Sequence, residues 1–445
     1  MTISAVKIGT LIRNSPNSAP SIGHVAIRVK GVPSAVRWSF LLFVFSFPFE
    51  AIDISFIIGS ATIVKLAGFL FFALYCLYYG PFFGERSFFP PISISLYWFL
   101  GYLIVYVLNF GFTDERLLGE YPFWEHCFTL IQFLVLFWLA SSLLTEQKMA
   151  RSVLLAYSIA SGLVALGVLV KVPGFYEQIA QGRVTAFGDN ANAVAGHMAF
   201  AAVITTGLCV YGSQKHLLSR FVLVGLTLAL LVVMVKTGSR GTSAAFLFGA
   251  WVYLLPYGRS KRIRTGIGLA LLSIIAVVYL SASNPHVFER WRESYEGDLA
   301  QRQVIFPTAI DMILERPIFG WHPTIWDYEL GRRIGLLNGI DAHNLVFSIL
   351  LEVGIVGASP FFVGLWSCGR SAWRARRGSL GALPLALMVT ALGVSMTGTG
   401  LILSSSKAQW LILALTIAAG AIAPLIIKPG EHCVSQPVKR IRRPF

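Results

Sequence analysis

The sequence predicts an all-α fold: a polytopic membrane bundle of about twelve transmembrane helices with one long outward-facing loop. Three observations predict it. Hydrophobic residues fill 56% and charged residues 13% of the 445 positions, with a mean hydropathy of +0.69, a balance outside the range of soluble domains. Apolar stretches near the ~20 residues that span hydrocarbon recur along the chain. The lysines and arginines behind the net charge of +15 gather in alternate loops, a pattern that fits the positive-inside rule and excludes nucleic acid as a partner.

Taken in order, residues 1–36 form a basic segment with Lys7, Arg13, Arg28 and Lys30 but neither an apolar core nor a small-residue cleavage site. It reads as a cytoplasmic tail before an uncleaved first span. Candidate spans follow at 37–50, 58–79, 93–110, 124–144, 152–170, 192–211, 218–236, 242–257, 265–283, 343–366, 380–398 and 405–427. Basic clusters at Arg259/Lys261/Arg262/Arg264, Arg370/Arg374/Arg376/Arg377 and Lys439/Arg440/Arg442/Arg443 alternate with acidic or mixed loops at Glu50/Asp53 and Asp114/Glu115/Glu120. Both termini, including a second basic tail at 428–445, then face the cytoplasm.

Short loops argue for a single bundle over 37–427, with one exception at 284–342. That loop holds Arg290, Arg292, Arg302, Arg316, Arg332 and Arg333, and helical pieces are expected at 286–296 and 301–315, the second ended by Pro317 and Gly320. A long structured loop among short ones is usually functional. The cysteines, Cys76, Cys127, Cys209, Cys368 and Cys433, are too scattered for a disulfide or zinc framework, and Cys127 is expected as an outward-facing free thiol. The P-loop pattern is missing, so energy must come from the substrate or a gradient, and no cofactor is expected.

Three junctions could carry chemistry. The first reads Asp341-Ala-His343-Asn344, then nine residues, then Gly354-Ile-Val-Gly357. Eleven residues make about three helical turns, which predicts that Gly354 lies below His343 on one face, with Gly357 near the same stripe. A lone histidine at a helix start is more often a cap or an interface residue. Here the helix N-terminus disfavours imidazolium, so His343 would stay neutral and able to accept a proton, with Asp341 orienting the ring. The second junction is Lys236-Thr-Gly-Ser239-Arg240-Gly241. Arg240 could simply snorkel, yet Gly238 and Gly241 allow a tight turn that brings backbone amides near an anion. The third runs from Gly182-Arg183 to Asn190-Ala-Asn192, where capping explains the asparagines but not Arg183. Two acidic sites compete: Glu50 with Asp53 as a metal-binding alternative, and Glu352, roughly half a helical circumference from His343, with Lys65 as a partner.

These motifs, Ser239-Arg240-Gly241, Glu315-Arg316-Pro317-Ile-Phe-Gly320 and His343-Asn344-x9-Gly354-x2-Gly357, resemble the O-antigen ligase and polymerase superfamily over roughly 180–360. The resemblance implies a metal-independent, inverting glycosyltransferase at the periplasmic face of the bacterial inner membrane. Its donor would be an undecaprenyl-diphosphate-linked glycan and its acceptor a sugar hydroxyl of a glycolipid or glycan. It makes His343 the general base and Arg240 the catalytic cation, and places Arg183, Arg302, Asn344 and Asp341 at the substrate. A departure is Phe306, where the family's helix often carries tryptophan. Polymerisation of lipid-linked repeat units is the alternative within the class. A transporter or flippase for lipid-linked glycan is the alternative outside it, although such a protein should concentrate polar groups at the bilayer midplane and show repeat symmetry.

Overall fold

A computed structural model of the protein describes residues 32–52, 62–79, 93–110, 123–179, 182–211, 217–255, 260–295, 301–323, 325–398 and 406–426. The helices are α1 (Ser34–Ser46), α2 (Ile63–Tyr79), α3 (Ile94–Phe110), α4 (Phe123–Leu143), α5 (Gln147–Leu169), α6 (Ala191–Tyr211), α7 (Leu217–Lys236), α8 (Arg240–Trp251), α9 (Ser260–Ser283), α10 (Pro285–Tyr295), α11 (Arg302–Glu315), α12 (Trp326–Arg333), α13 (Leu345–Ala375), α14 (Leu383–Thr397) and α15 (Lys407–Ile426). A two-residue antiparallel ribbon, β1 (Glu177–Gln178) with β2 (Val184–Thr185), precedes α6. The protein is an almost wholly helical, multi-pass membrane protein.

A helix lies at each apolar segment expected from the sequence. Five of them, α4, α5, α6, α7 and α13, are long and apolar enough to cross a membrane unaided, whereas α1, α2, α3, α14 and α15 are shorter apolar helices. Helix α6 is the hub, packed by α5, α7, α8 and α14, and 94% of its apolar window is buried. Its sequence explains this: Ala191, Ala195, Ala199, Ala201 and Ala202 are small enough for neighbouring backbones to approach closely, which drives packing where lipid removes the hydrophobic incentive. A second centre is aromatic. Phe99 of α3 meets Phe137 of α4, Phe361 of α13 and Trp410 of α15 edge-on at 5.0–5.6 Å between ring centroids, the orientation that ring quadrupoles favour.

Between α9 and α13 the chain leaves the bundle. The sequence Ser283-Asn-Pro285 ends α9, and α10 turns away at 96°. Helices α10 and α11 fall within a residue of the expected 286–296 and 301–315. Helix α12 was not anticipated, although its acidic first turn (Asp327, Glu329) and basic last turn (Arg332, Arg333) match the helix dipole.

Helix α13 departs from the sequence expectation. His343 precedes the helix, and Gly354 sits at φ 58°, ψ −166°, a region open in practice only to glycine. The helix therefore breaks there, and no continuous stripe joins His343 to Gly354 and Gly357. The break is filled by the segment from Pro317 to Trp321. Trp321 N–H donates to Leu351 O at 2.6 Å, while Ile355 N–H and Val356 N–H donate to Pro317 O and Ile318 O at 2.9 and 3.1 Å. Asn109 of α3 clamps both sides, its Nδ2 donating to Phe319 O and Glu352 O at 2.9 Å each. All of these bonds except that to Phe319 O engage a backbone group that unbroken helix would have satisfied internally.

Other expectations are corrected as well. Glu352 accepts a hydrogen bond from Tyr102 at 3.1 Å, so a tyrosine on α3, not Lys65, is its partner. Cys127 is buried in α4 rather than presented as an accessible thiol, because its face of the helix packs inward. Gly241 does not open the backbone to a ligand; a Cβ there would collide with Thr397, so this glycine serves the close approach of α8 to α14. Glu50 is engaged by Lys407, which occupies the carboxylate proposed for metal. Asp53, Cys433 and the segments 1–31 and 427–445 lie outside the described residues.

Candidate active site

Five chain segments converge at one end of the bundle. The β1–β2 ribbon delivers Arg183, whose Nε donates to Thr237 O and Nη2 to Asn192 Oδ1, both at 2.9 Å. The α7–α8 turn delivers Arg240. This turn forms because Gly238, at φ +66°, takes the left-handed position after α7, its N–H returning to Val235 O at 2.9 Å. Helix α10 supplies Arg290, whose carbonyl accepts from Arg240 Nη1. A Cβ on Gly238 would meet Arg290 Nη1 at 3.2 Å and Arg183 Cγ at 3.5 Å, which fixes how tightly these groups crowd. The first residue of α11 is Arg302, with Nη2 donating to Thr397 O at 2.5 Å and Nε buried without a partner.

The fifth segment carries His343 at φ +50°. Its backbone N–H donates to Asp341 Oδ1 at 3.1 Å, and the same oxygen accepts from Ser348 Oγ at 3.2 Å. Asp341 Oδ2 stands 3.7 Å from His343 Nδ1, beyond a hydrogen bond but close enough to bias the ring electrostatically. Asn344 caps α13 through Oδ1, which accepts from Val346 N–H at 3.0 Å and Phe347 N–H at 3.3 Å. Its amide oxygen is thus committed to holding the helix behind His343. Phe306 packs edge-on against Phe347, 5.2 Å between centroids, and anchors α11 one turn from Arg302. That contact puts Arg302 in the electrostatic range of Arg240, Asp341 and His343.

The cations gathered here are partly buried and repel one another. Burial, then Arg290 and Arg240, pull the Arg183 guanidinium down to about 10. Arg302 is lowered by burial first and by Arg240 second, with Asp341 opposing. His343 is also lowered, by burial foremost; Asp341 pulls it up and Arg302 pushes it down. Among the described residues, none of Arg183, Arg240 and Arg302 is ion-paired to a carboxylate. Such a site can hold a multiply charged anion beside an imidazole that stays unprotonated at neutral pH.

The fold brings the six candidate residues together, and Arg290, which the sequence did not single out, joins them. Arg290 is one arginine of many in the loop, and only the 96° bend after α9 brings it against Gly238.

Residues 225–362 match the family model described as O-antigen ligase. The matched stretch includes Arg240, Arg290, Arg302, Asp341, His343, Asn344 and Gly354, while Arg183 precedes it. No curated protein matches the chain.

Proposed function

We propose that this chain, whose residues 225–362 match the family model described as O-antigen ligase, is a glycan ligase of the bacterial inner membrane. In this reading twelve spans place the site at the periplasmic face. The enzyme moves a glycan from undecaprenyl diphosphate to an acceptor sugar hydroxyl. The observation that carries the reading is the juxtaposition of Arg183, Arg240 and Arg302, satisfied by carbonyl and amide oxygens, with a neutral His343.

The chemistry follows from these groups. His343 takes the proton of the acceptor hydroxyl as its oxygen bonds to the anomeric carbon of the donor. The bond from that carbon to the diphosphate breaks, and the diphosphate leaves with the electron pair, inverting the centre. Charge grows on the leaving oxygens, and guanidinium forks stabilise it without a proton and without a metal. Asp341 holds the turn that presents the imidazole and stabilises imidazolium once it forms.

Ligation is favoured over polymerisation because one long loop, 284–342, stands over the site and can admit an acceptor shaped differently from the donor. The test is the glycan profile of a deletion strain. Full-length polymer retained on the lipid carrier, with a bare surface acceptor, is expected. A surface acceptor bearing a single repeat unit, or loss of secreted polysaccharide alone, assigns polymerisation instead. Turnover of the purified protein should persist in excess chelator, and loss that Mg²⁺ or Mn²⁺ restores would return the role to a metal.

A further inference from the structure

Helix α10 meets the arginine cluster with one face and leaves another, aromatic face uncovered. Val287 is 4% exposed, His286 lies against Gly182, and Arg290 lies against Gly238; these residues make the contact with the bundle. Phe288, Trp291 and Tyr295, spaced i, i+3, i+7, form a separate stripe that is exposed at 53%, 36% and 94%. At 3.6 residues per turn the stripe stands roughly 100–160° around the helix from Arg290. An aromatic platform for a glycan held at the arginine cluster would face Arg290, and this one turns away. Glu289 and Glu293 lie toward the remaining side, and Glu289 is 3.7 Å from Arg292, so the helix is charged there.

The preceding helix identifies what covers the stripe. Leu271, Leu272, Ile275, Val278 and Tyr279 of α9 are exposed at 46–69%, an apolar surface that faces lipid in a multi-pass membrane protein. The 24 residues of α9 rise about 36 Å, enough to cross the hydrocarbon alone. Spanning helices tilt by about 20° on average, so α10, bent 96° from α9, runs close to the bilayer plane. By length and apolarity the pair also passes as one broken span. However, Glu289, Arg290, Arg292 and Glu293 fall within the eleven residues of α10 and hold it out of the hydrocarbon. A helix with one charged side and one Phe/Trp/Tyr side suits the membrane–water boundary, where aromatic rings concentrate. The lipid-facing helix α9 ends at Ser283, and the helix that carries the stripe begins at Pro285.

We propose that α10 is an interfacial helix whose Phe288, Trp291 and Tyr295 are seated among the headgroups and upper acyl chains of the bilayer, whatever reaction the arginine cluster serves. Because Arg290 belongs to the same short helix and packs against Gly238, this seat holds the cluster at headgroup depth.

The experiment has two arms, both on the full chain in phosphatidylcholine nanodiscs. In the first, Phe288→Cys, Tyr295→Cys and, on the charged side, Glu293→Cys are labelled with bimane, and the chain without an added cysteine supplies the background. With the aromatic side about 5–10 Å into the headgroup–acyl boundary, lipid brominated high in its chain should quench the first two labels about threefold more than the third, and aqueous iodide about threefold less. Iodide that reaches all three labels alike, without bromolipid quenching, would leave the face open to water for a glycan or a protein partner and overturns the proposal. In the second arm the label stays on Tyr295→Cys while Phe288 and Trp291 are both changed, to glutamate in one variant (Phe288→Glu, Trp291→Glu) and to leucine in the other (Phe288→Leu, Trp291→Leu). The glutamate pair should lift the helix and cut bromolipid quenching about threefold, and the leucine pair should keep it. Quenching kept with the glutamate pair, or lost with the leucine pair, overturns the proposal. If the glutamate pair fails to insert, the first arm and the leucine pair decide.

Discussion

Two sets of arginines lie within the same hydrophilic end of the molecule, and their surroundings are opposite. Arg333 forks onto Glu315 at 2.6 and 2.8 Å and reaches Glu329 at 2.7 Å, while Arg332 binds Glu329 through two bonds of 2.7 Å. Trp321 lies between Arg316 and Arg333, 4.3 and 4.8 Å from its ring. These cations are matched within the fold, so Glu329 is held down at about 2 by hydrogen bonds from Arg332 and Arg333. Arg183, Arg240 and Arg302 are matched only by dipoles, and burial with mutual repulsion destabilises the charged form of Arg183 and Arg302. The difference teaches that an arginine's function is set by what neutralises it. The first set fastens α12 to α11. The second set rests on carbonyl and amide oxygens alone.

The comparison breaks most sharply under Arg→Lys substitution. Arg240→Lys and Arg183→Lys should each lower the transfer rate about 10²–10³-fold, because lysine keeps the charge but not the fork, whereas Arg332→Lys should leave it close to wild type. Equal losses in all three variants would erase the distinction. His343→Ala belongs with the large effects, about 10²–10⁴-fold in kcat at normal insertion levels, as expected for a lost general base.

The pH profile sharpens the same contrast. A general base works when neutral, and the His343 imidazole is lowered from 6.5, first by burial. Transfer should therefore persist below pH 6.5 and fall only as pH drops through the lowered value. Arg302→Gln removes a cation that pushes the imidazole down, so the acidic limb should move up in pH. Asp341→Asn removes the group that pulls it up and should move the limb down. Limbs that shift together, or not at all, would detach His343 from proton transfer.

Smaller effects belong to the scaffold. Asn109→Ala leaves the Phe319 and Glu352 carbonyls without their shared donor, which should cost about 1–3 kcal/mol per orphaned group and lower the thermal midpoint. Gly354→Ala, forced into a glycine-only conformation, should cost about 1–3 kcal/mol or more. Smallest is the acid response of the α11–α12 ion network. Glu329 is depressed from 4.5 to about 2, so its contribution is complete above pH 4.5 and disappears as pH falls toward 2. Protease resistance of this segment should follow that window, and its loss near pH 5 would contradict the pairing.

The sequence alone determined where the apolar helices lie, because apolar length and charge punctuation are local properties, and it singled out six candidate site residues, in short motifs at helix entrances, that the fold brings to one end of the bundle. It also placed α10 and α11 within a residue, with Pro317 and Gly320 marking the end of the second. Tertiary structure decided the rest. Spacing alone made Gly354 part of a continuous face; its break depends on the Pro317–Trp321 segment, Asn109 and the helix arriving from distant positions to share hydrogen bonds. The partner of Glu352 was illegible for the same reason, since Tyr102 lies 250 residues away. Arg290 became part of the cluster only through a bend, and the loop's arginines separated into matched and unmatched sets only once carboxylates on α11 and α12 had found some of them. Composition records how many charges a chain carries, but long-range packing decides which of them remain for a ligand.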